Sequence, residues 1–296
     1  MKFDGAVDRR TLLAGALGTV GLVAAGCSRP RTPELQDTTK PSPVITSVRP
    51  RPQRSKAPKP ASAREIVKRA TVPVLCYHQL RKWTNSDSQY NRVNLICPPK
   101  NFHAQLDALA ENGWTTISPS QYLRHLTGGA ALPPKPVMLS FDDGTAGQAH
   151  EGLVQLTRRG MTGAFFVMTV VLDKPKWMST RDIRRLADAG MTIGSHTWDH
   201  HAVSDLSGNA WKVQLEQSRE TLRKASRQSV QHFACPYGII STKAFPHLAK
   251  AGYKTAFQLQ AKNLDRAVPL YTLRRSLVVS TWSGATLLRH LKGQHR

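Results

Sequence analysis

The stretch LSFDDGTAG (residues 139–147) ends an apolar run with two adjacent carboxylates, followed at once by glycine. Successive side chains of a β-strand point to opposite faces of the sheet. Asp142 and Asp143 can therefore serve one site only where the strand breaks into a turn, and Gly144 supplies that break. Two interpretations are open at this point, a surface turn or a cation held between the carboxylates.

A recurring pattern around this stretch predicts the fold. Amphipathic segments end at Gly113, Gly160, Gly190 and Gly252, and an apolar or β-branched run begins directly after each glycine. Glycine in that place is typical of a helix C-cap. The repetition of helix, cap and buried strand predicts an α/β fold, with βα units arranged around a parallel sheet or barrel.

Six segments are predicted strands, and several of them end in reactive residue types. They are TVPVLCYH (71–78), PVMLSFDD (136–143), GAFFVM (163–168), MTIGSH (191–196), QHFACPYG (231–238) and KTAFQL (254–259). In α/β folds the functional sites form at the carboxyl ends of parallel strands. We therefore expect the reactive side chains to meet at that edge of the sheet.

The segment SHTWDHH (residues 195–201) places His196 and His200 four positions apart. This spacing puts two imidazoles on one face if the segment forms a helical turn. Two histidines and one carboxylate suit Zn²⁺ or another divalent ion such as Co²⁺, with an open coordination position for water. The coincidence of this motif with the paired aspartates favours a metal site with Asp143, His196 and His200 as ligands.

Asp142 would then lie beside the ion. A metal lowers the pKa of water toward ~7, so a nearby carboxylate is a competent general base. His201 follows His200 directly and is the alternative ligand. The predicted chemistry is the attack of water on a carbonyl carbon.

Three motifs, SFDDG, SHTWDH and FACPYG, occur in this order with predicted helices between them. In this respect the chain resembles the polysaccharide deacetylase family, also called the NodB-homology or carbohydrate esterase family 4 group. The resemblance extends from about Val72 to the region of Val279. It implies a distorted (β/α) barrel and metal-dependent removal of acetyl groups from N-acetylated sugars, with Asp142 as base and the same three metal ligands.

The third motif and two histidines complete the site that the resemblance implies. Pro236, Tyr237 and Gly238 would form a substrate-binding groove wall, in which the backbone N–H of Tyr237 donates to an oxyanion. An early Tyr-His pair in LCYHQL is similar to that of the biofilm poly-N-acetylglucosamine deacetylases, which implies His78 as general acid. The alternative is that His78 only caps the first strand. His290 in LLRHLKG is the other candidate acid.

The chain departs from the family pattern at one residue of the third motif. The family carries an arginine that orients the base, and this chain reads Ala234-Cys235 in its place. Arg275 in YTLRRSLV is the expected replacement, with Arg274 as its rival.

The amino terminus carries an export signal. In VDRRTLLAGALGTVGLVAAGCSRP (residues 7–30), Arg9-Arg10 precede an apolar segment, residues 12–25, and Cys27 follows small residues. The apolar segment is shorter than the ~20 residues of a membrane-spanning helix. The arginine pair resembles a twin-arginine signal and the cysteine resembles that of a lipobox, which implies lipidation of Cys27.

These features divide the chain into three predicted regions. A Pro- and Arg-rich composition with little apolar content predicts an extended tether after the signal. The regions are a signal peptide (1–26), a disordered tether (27–64) and a polysaccharide deacetylase catalytic domain (65–296). If Cys27 is lipidated, the remaining cysteines Cys76, Cys97 and Cys235 allow one disulfide with one free thiol, or three buried thiols.

Composition limits the class of protein and its partners. The chain has 296 residues, 40% hydrophobic and 21% charged, which is enough for one sizeable core. Its net charge of +23 attracts polyanions. Beside an export signal, that charge favours an anionic membrane surface and envelope over nucleic acid. We expect an extracytoplasmic protein, lipid-anchored on the outer face of a bacterial membrane, that acts as a monomer.

Two classes of function follow from these observations. The first is an exported metal-dependent hydrolase that removes N-acetyl groups from an N-acetylhexosamine-containing polysaccharide of the cell envelope or biofilm. The alternative is a non-catalytic, lipid-tethered glycan-binding module on the same fold. The joint presence of a base and three ligands favours the enzyme.

Overall fold

The computed structural model describes residues 60–259 and 263–294. The predicted signal peptide, Cys27 and the predicted tether up to residue 59 lie outside the described residues. The first helix begins at Ala63, where the Ser62 hydroxyl accepts from the backbone N–H of Glu65. No helix within the described ranges is long and apolar enough to cross a membrane.

Strands and helices alternate along most of the described chain. The strands are β1 Val74–Tyr77, β2 Gln79–Leu80, β3 Ile96–Cys97, β4 Thr115–Thr116, β5 Pro136–Asp143, β6 Ala164–Val167, β7 Thr192–Ser195, β8 His232–Ala234, β9 Thr255–Gln258, β10 Leu273–Arg274 and β11 Ser276–Leu277. The α-helices are α1 Ala63–Arg69, α2 Gln89–Asn94, α3 Pro99–Glu111, α4 Pro119–Gly128, α5 Leu153–Arg158, α6 Thr180–Asp188, α7 Ser218–Ser226, α8 Ala244–Lys250 and α9 Gly284–Gln294. π-Helical turns precede α5 (Gln148–Gly152) and α7 (Lys212–Gln217).

The main sheet is a nearly closed barrel of parallel strands. Its order is β10-β9-β8-β7-β6-β5-β1-β11, and β4 adds to the start of β5. Only Arg275 separates β10, which pairs with β9, from β11, which pairs with β1. The two edges of the sheet therefore meet in one interrupted strand. The predicted α/β barrel is confirmed, and all six predicted strands are present.

The alternation of side chains along each strand builds two apolar clusters. On β6, Phe165 belongs to the cluster between the sheet and the helices, whereas Phe166 belongs to the cluster inside the barrel. Helix α4 adds Tyr122 and Leu126 to the inner cluster, at the amino ends of the strands. Apolar side chains thus fill the barrel at the amino ends of its strands, and the carboxyl ends of the strands are left for polar side chains.

A buried histidine ties α4 to the barrel. His232 is 1% exposed; its Nε2 lies 3.0 Å from the Ser120 hydroxyl and its Nδ1 lies 2.8 Å from the Thr255 hydroxyl. Burial lowers the pKa of His232 to about 4, so the ring is neutral near pH 7.

The four predicted helix caps are also present. Gly113, Gly160, Gly190 and Gly252 have φ angles of 71°, 62°, 80° and 90°. Each lies between a helix and the strand that follows it, in the left-handed region that favours glycine. These short connections return the chain to the sheet, so the carboxyl ends of the parallel strands gather at one mouth.

Candidate active site

The paired aspartates lie where β5 ends. Asp142 continues the strand into the barrel and is 1% exposed. Asp143 itself has φ 79° and Gly144 has φ 87°, so the break begins one residue earlier than the sequence predicted. A side chain at Gly144 would lie 2.6 Å from Val167 Cγ1, which leaves room only for glycine. This turn lets two adjacent carboxylates face one site.

The two histidines follow β7 in a turn. The segment does not form a helical turn, because Thr197 and His200 have φ angles of 66° and 72°. The Thr197 hydroxyl accepts from the His200 backbone N–H at 3.0 Å and fixes the turn. His196 Nδ1 lies 2.9 Å from the Ala234 carbonyl oxygen, which makes Nδ1 the protonated nitrogen and directs Nε2 into the site.

Asp143, His196 and His200 form a group able to hold a metal ion. Asp143 Oδ1 lies 3.5 Å from His196 Nε2 and 3.6 Å from His200 Nε2. Ligand atoms about 2.1 Å from a tetrahedral ion lie about 3.4 Å apart, so these separations fit. Asp143 Oδ1 and His196 Nε2 are buried and lack a hydrogen-bond partner within the described residues. Buried polar atoms need a partner, and a divalent ion would provide one for both.

The electrostatics of this group also favour a cation. Burial disfavours a charged imidazole, yet the carboxylates of Asp142 and Asp143 hold the pKa of His196 above its usual value. At His200, burial and the neighbouring His196 lower the pKa to about 4. The site therefore binds one positive charge readily and offers the neutral imidazole of His200 as a ligand.

Arg275 holds Asp142 in a buried, two-point ion pair. Its Nη1 lies 2.6 Å from Oδ1 and its Nη2 lies 2.7 Å from Oδ2. The side chains of Arg275 and Asp142 are 0% and 1% exposed. Burial opposes ionisation of Asp142, but the guanidinium outweighs it and holds the pKa of that carboxyl well below its usual value. Arg274, the rival, is exposed on β10.

His78 lies directly after β1, within 4.8 Å of a carboxylate oxygen of Asp142. Burial lowers the pKa of His78, although the two aspartates oppose this shift. The ring is therefore neutral in the resting site near pH 7. His290 lies on α9, where its ring is 4.6 Å from that of Trp282, and α9 packs against α3. His78, and not His290, belongs to the group around Asp142.

The groove-wall residues follow β8 in a 3₁₀ turn, Pro236–Gly238. Tyr237 has φ 58°, and its side chain is 64% exposed. Its ring lies 4.5 Å from that of His200, so Tyr237 borders the candidate metal group. His201, the alternative ligand, turns away and bonds the Asp199 carboxylate at 2.9 Å.

Two buried neighbours of Asp142 were not predicted from the sequence to belong to the site. The Cys76 thiol lies 3.5 Å from Asp142 Oδ2, and Gln148 Nε2 lies 2.5 Å from the Asp142 carbonyl oxygen. Cys76 lies on β1, two positions before His78, so the alternation of side chains could have predicted that both face the site. The contact of Gln148 depends on how the turn after β5 folds. Cys76, Cys97 and Cys235 are buried free thiols, so the alternative with a disulfide is not observed.

Comparison with known proteins finds relatives that are deacetylases. The polysaccharide deacetylase family model matches residues 129–256. The peptidoglycan-N-acetylglucosamine deacetylase of Bacillus cereus is 21% identical over 194 residues, covering 65% of this chain and 68% of that protein. The peptidoglycan-N-acetylmuramic acid deacetylase PdaA of Bacillus subtilis is 28% identical over 126 residues, covering 42% of this chain and 46% of that protein.

Solved structures share the fold. The Streptococcus pyogenes deacetylase PplD, solved with acetate, has a TM-score of 0.68 at 22% identity and covers 74% of this chain and 97% of its own. IcaB from Ammonifex degensii has a TM-score of 0.61 at 24% identity and covers 76% of this chain and 97% of its own. At these identities the likeness shows a common barrel.

Proposed function

We propose that this chain, which carries a polysaccharide deacetylase domain, is an exported, metal-dependent hydrolase. Its proposed substrate is an N-acetylhexosamine-containing polysaccharide. The family predicted from the three motifs is confirmed, and its curated relatives are hydrolases that act on amide bonds. The observation that best supports metal-dependent hydrolysis is that Asp143, His196 and His200 converge beside the Asp142 carboxylate, which Arg275 holds in place.

The proposed metal is Zn²⁺, with Co²⁺ as the alternative, held by Asp143, His196 and His200. The ligand set, the spacing of the ligand atoms and the unpartnered buried atoms support a divalent ion. Such an ion, when bound, would lower the pKa of the attacking water and polarise the acetyl carbonyl.

Each remaining step is assigned to a side chain or backbone group of this chain. Asp142 accepts the proton of the attacking water, and Arg275 keeps that carboxylate ionised and oriented. The backbone N–H of Tyr237 donates to the oxygen on which negative charge develops. His78 donates a proton to the departing amine.

Proton transfer between base and acid can supply the proton that His78 needs. Because burial keeps the His78 ring neutral in the resting site, the ring must gain a proton before it gives one. Asp142 gains a proton when water attacks and lies within 4.8 Å of His78. One proton can thus serve both steps, and the amine leaves as a neutral group.

The ion pair of Arg275 also bears on the alternative, a glycan-binding module without turnover. That alternative rested on the arginine missing from the third motif. Arg275 reaches the same carboxylate from another strand, which supports an active enzyme. We further propose that the protein is exported and lipid-anchored at Cys27, in keeping with the apolar segment and the basic tether.

Acetate release from a panel of glycans tests the proposed function. The panel contains peptidoglycan, poly-N-acetylglucosamine, chitin oligomers and galactosamine-containing glycans, assayed with added Zn²⁺ or Co²⁺ and with a chelator. Asp142→Asn is the matched control, since the amide preserves shape but cannot accept the proton; we expect it to retain metal and lose turnover 10²- to 10⁴-fold. Metal-loaded protein that releases no acetate from any member, or an Asn variant as active as the parent, would contradict the proposal.

A further inference from the structure

The amide of Gln148 joins the two strand ends that carry the proposed base and acid. Its side chain is 0% exposed, and Nε2 lies 2.5 Å from the carbonyl oxygen of His78 and 2.5 Å from that of Asp142. A primary amide has two N–H donors on one nitrogen, so one side chain can serve both carbonyls. Each of these carbonyl groups belongs to a residue whose own side chain acts in the proposed reaction.

The position of this contact in the sheet is specific. Strands β1 and β5 pair in parallel up to Tyr77 and Phe141, which makes His78 and Asp142 the next pair in register. Beyond that pair the chains separate, β1 toward β2 and β5 into the turn at Asp143. Gln148 therefore supplies a cross-link at the point where the two chains begin to diverge.

The local backbone is built to bring Gln148 to this point. It begins the π-helical turn Gln148–Gly152, a rare geometry that often occurs at functional sites. The preceding residue is Gly147, and a Cβ there would lie 2.4 Å from the Leu80 carbonyl oxygen. Absence of a side chain at Gly147 thus allows the turn to approach the chain that follows β1.

We infer that Gln148 is a positioning residue that sets the distance between the Asp142 carboxylate and the His78 imidazole. The inference rests on the proposed function, in which these two groups exchange a proton during one turnover. A displacement of about 1 Å between reacting groups can cost about 100-fold in rate. Loss of both donors frees the two strand ends to move relative to each other. Asp143 remains paired with β6, where its carbonyl oxygen accepts from the Met168 backbone N–H at 3.3 Å. His196 and His200 keep their hydrogen bonds to the Ala234 carbonyl and the Thr197 hydroxyl.

The chain offers a matched control for a purely structural role. Gln228 uses the same geometry far from the mouth: its Nε2 donates to the carbonyl oxygens of Met191 at 2.9 Å and Ala187 at 3.4 Å. Its Oε1 accepts from the Ile193 backbone N–H at 3.2 Å, at the start of β7. Gln148→Met and Gln228→Met therefore each delete a two-carbonyl cross-link, one beside the reacting groups and one at the opposite end of the barrel.

The experiment compares these variants in the metal-loaded protein. We measure thermal unfolding, metal content, and kcat and KM for acetate release from an N-acetylglucosamine oligomer. For Gln148→Met we expect kcat to fall about 100-fold, with KM within a factor of about 3 and metal content unchanged. Gln228→Met should lower the melting temperature similarly and leave kcat at the parental value. Gln148→Asn, which keeps both donors on a shorter side chain, should lie between parent and Gln148→Met.

A double-variant comparison separates positioning from general stabilisation. If Gln148 acts through the placement of His78 relative to Asp142, then Gln148→Met should cost much less kcat when His78→Ala is already present. A parental kcat in Gln148→Met, an equal kcat loss in Gln228→Met, or full additivity with His78→Ala would overturn the inference. Failure of both Gln148 variants to fold would also overturn it, because Gln148 would then serve the fold. A parent that binds metal but releases no acetate would instead overturn the proposed function.

Discussion

Replacement of Arg275 by methionine would leave Asp142 as a buried carboxylate without its counter-ion. The parental pair is 0% and 1% exposed and joined by contacts of 2.6 and 2.7 Å. Removing one partner of such a pair costs about 3–5 kcal/mol, because the other charge remains desolvated. Arg275 also contacts the Ser140 hydroxyl at 3.3 Å and lies 5.6 Å from the Phe166 ring centre. We therefore expect a loss near the upper end of that range.

The pH dependence of this loss follows from the two pKa shifts of Asp142. In the parent, the folded-state pKa is depressed, so the stabilisation is present above the unfolded-state pKa and is lost as pH falls through the folded value. In Arg275→Met, only His196 and His78 still oppose the effect of burial, so that pKa rises. The variant relieves its penalty by protonating Asp142. The free-energy gap between parent and variant should therefore be largest at pH 7 and smaller near pH 4.

Urea unfolding at both pH values measures the gap, and Arg274→Met is the matched control on the same interrupted strand. Arg274 is exposed, so its replacement should change the unfolding free energy by less than about 0.5 kcal/mol. A double variant, Ala234→Arg with Arg275→Ala, supplies the arginine from β8 and should recover part of the kcat that Arg275→Ala loses. An Arg275→Met loss below about 1 kcal/mol at pH 7, or an equal loss in Arg274→Met, would show that Arg275 is not the counter-ion on which buried Asp142 depends.

Four further predictions address the ligands, the acid, the anchor and the fold. His200→Ala should lose the divalent ion and His201→Ala should keep it, because a three-ligand site has no ligand to spare. Elemental analysis measures the metal content, and the reverse result would show that His201, not His200, is the ligand. His78→Ala should reduce hydrolysis of N-acetyl sugars 10²- to 10⁴-fold but spare an activated acetyl ester, whose leaving group needs little protonation. Equal damage on both substrates would make His78 structural. Cys27→Ala should release the protein from membranes in cell fractionation, and a processed variant that remains bound would exclude the lipid anchor. The pKa of His232 is about 4 when folded, so protonation of the unfolded state alone should remove about 3 kcal/mol of stability between pH 6.5 and 4. Urea midpoints of His232→Gln should show a weaker acid sensitivity, and an unchanged slope would contradict this account.

The sequence predicted those parts of the fold that depend on local signals. Each of the four capping glycines adopts a positive φ, and apolar runs follow them as strands. The ends of the predicted strands place Asp142 and His78 at the same edge of the sheet, whereas their register, one pair beyond Tyr77 and Phe141, comes from the structure. The spacing of residues along the chain did not predict the backbone conformation outside helices and strands. A helical turn would put His196 and His200 on one face, whereas the structure brings them together through a turn with left-handed residues.

Long-range contacts could not be read from the sequence. Strands β10 and β11 have two residues each, too few for any alternation to be recognised. Gln148 contacts the carbonyl oxygen of His78, 70 positions away, through a turn whose path depends on Gly147. Arg275 could be named as a candidate, but its pairing with Asp142 spans 133 positions. Such contacts arise only when the barrel closes.

Barrel closure and the orientation of the base depend on the same residue. Leu273 packs in the inner cluster, so the alternate residue, Arg275, also faces the interior. The Arg275 backbone N–H bonds the Gln258 carbonyl oxygen on β9, and β11 then continues beside β1. Because Ala234 on β8 occupies little of the interior, the guanidinium can reach Asp142 from the closing strand. Disruption of the pairing of β10 with β9 or of β11 with β1 would therefore displace the ion pair of Arg275 and Asp142. Loss of the ion pair would in turn leave the buried charge of Asp142 where the barrel closes.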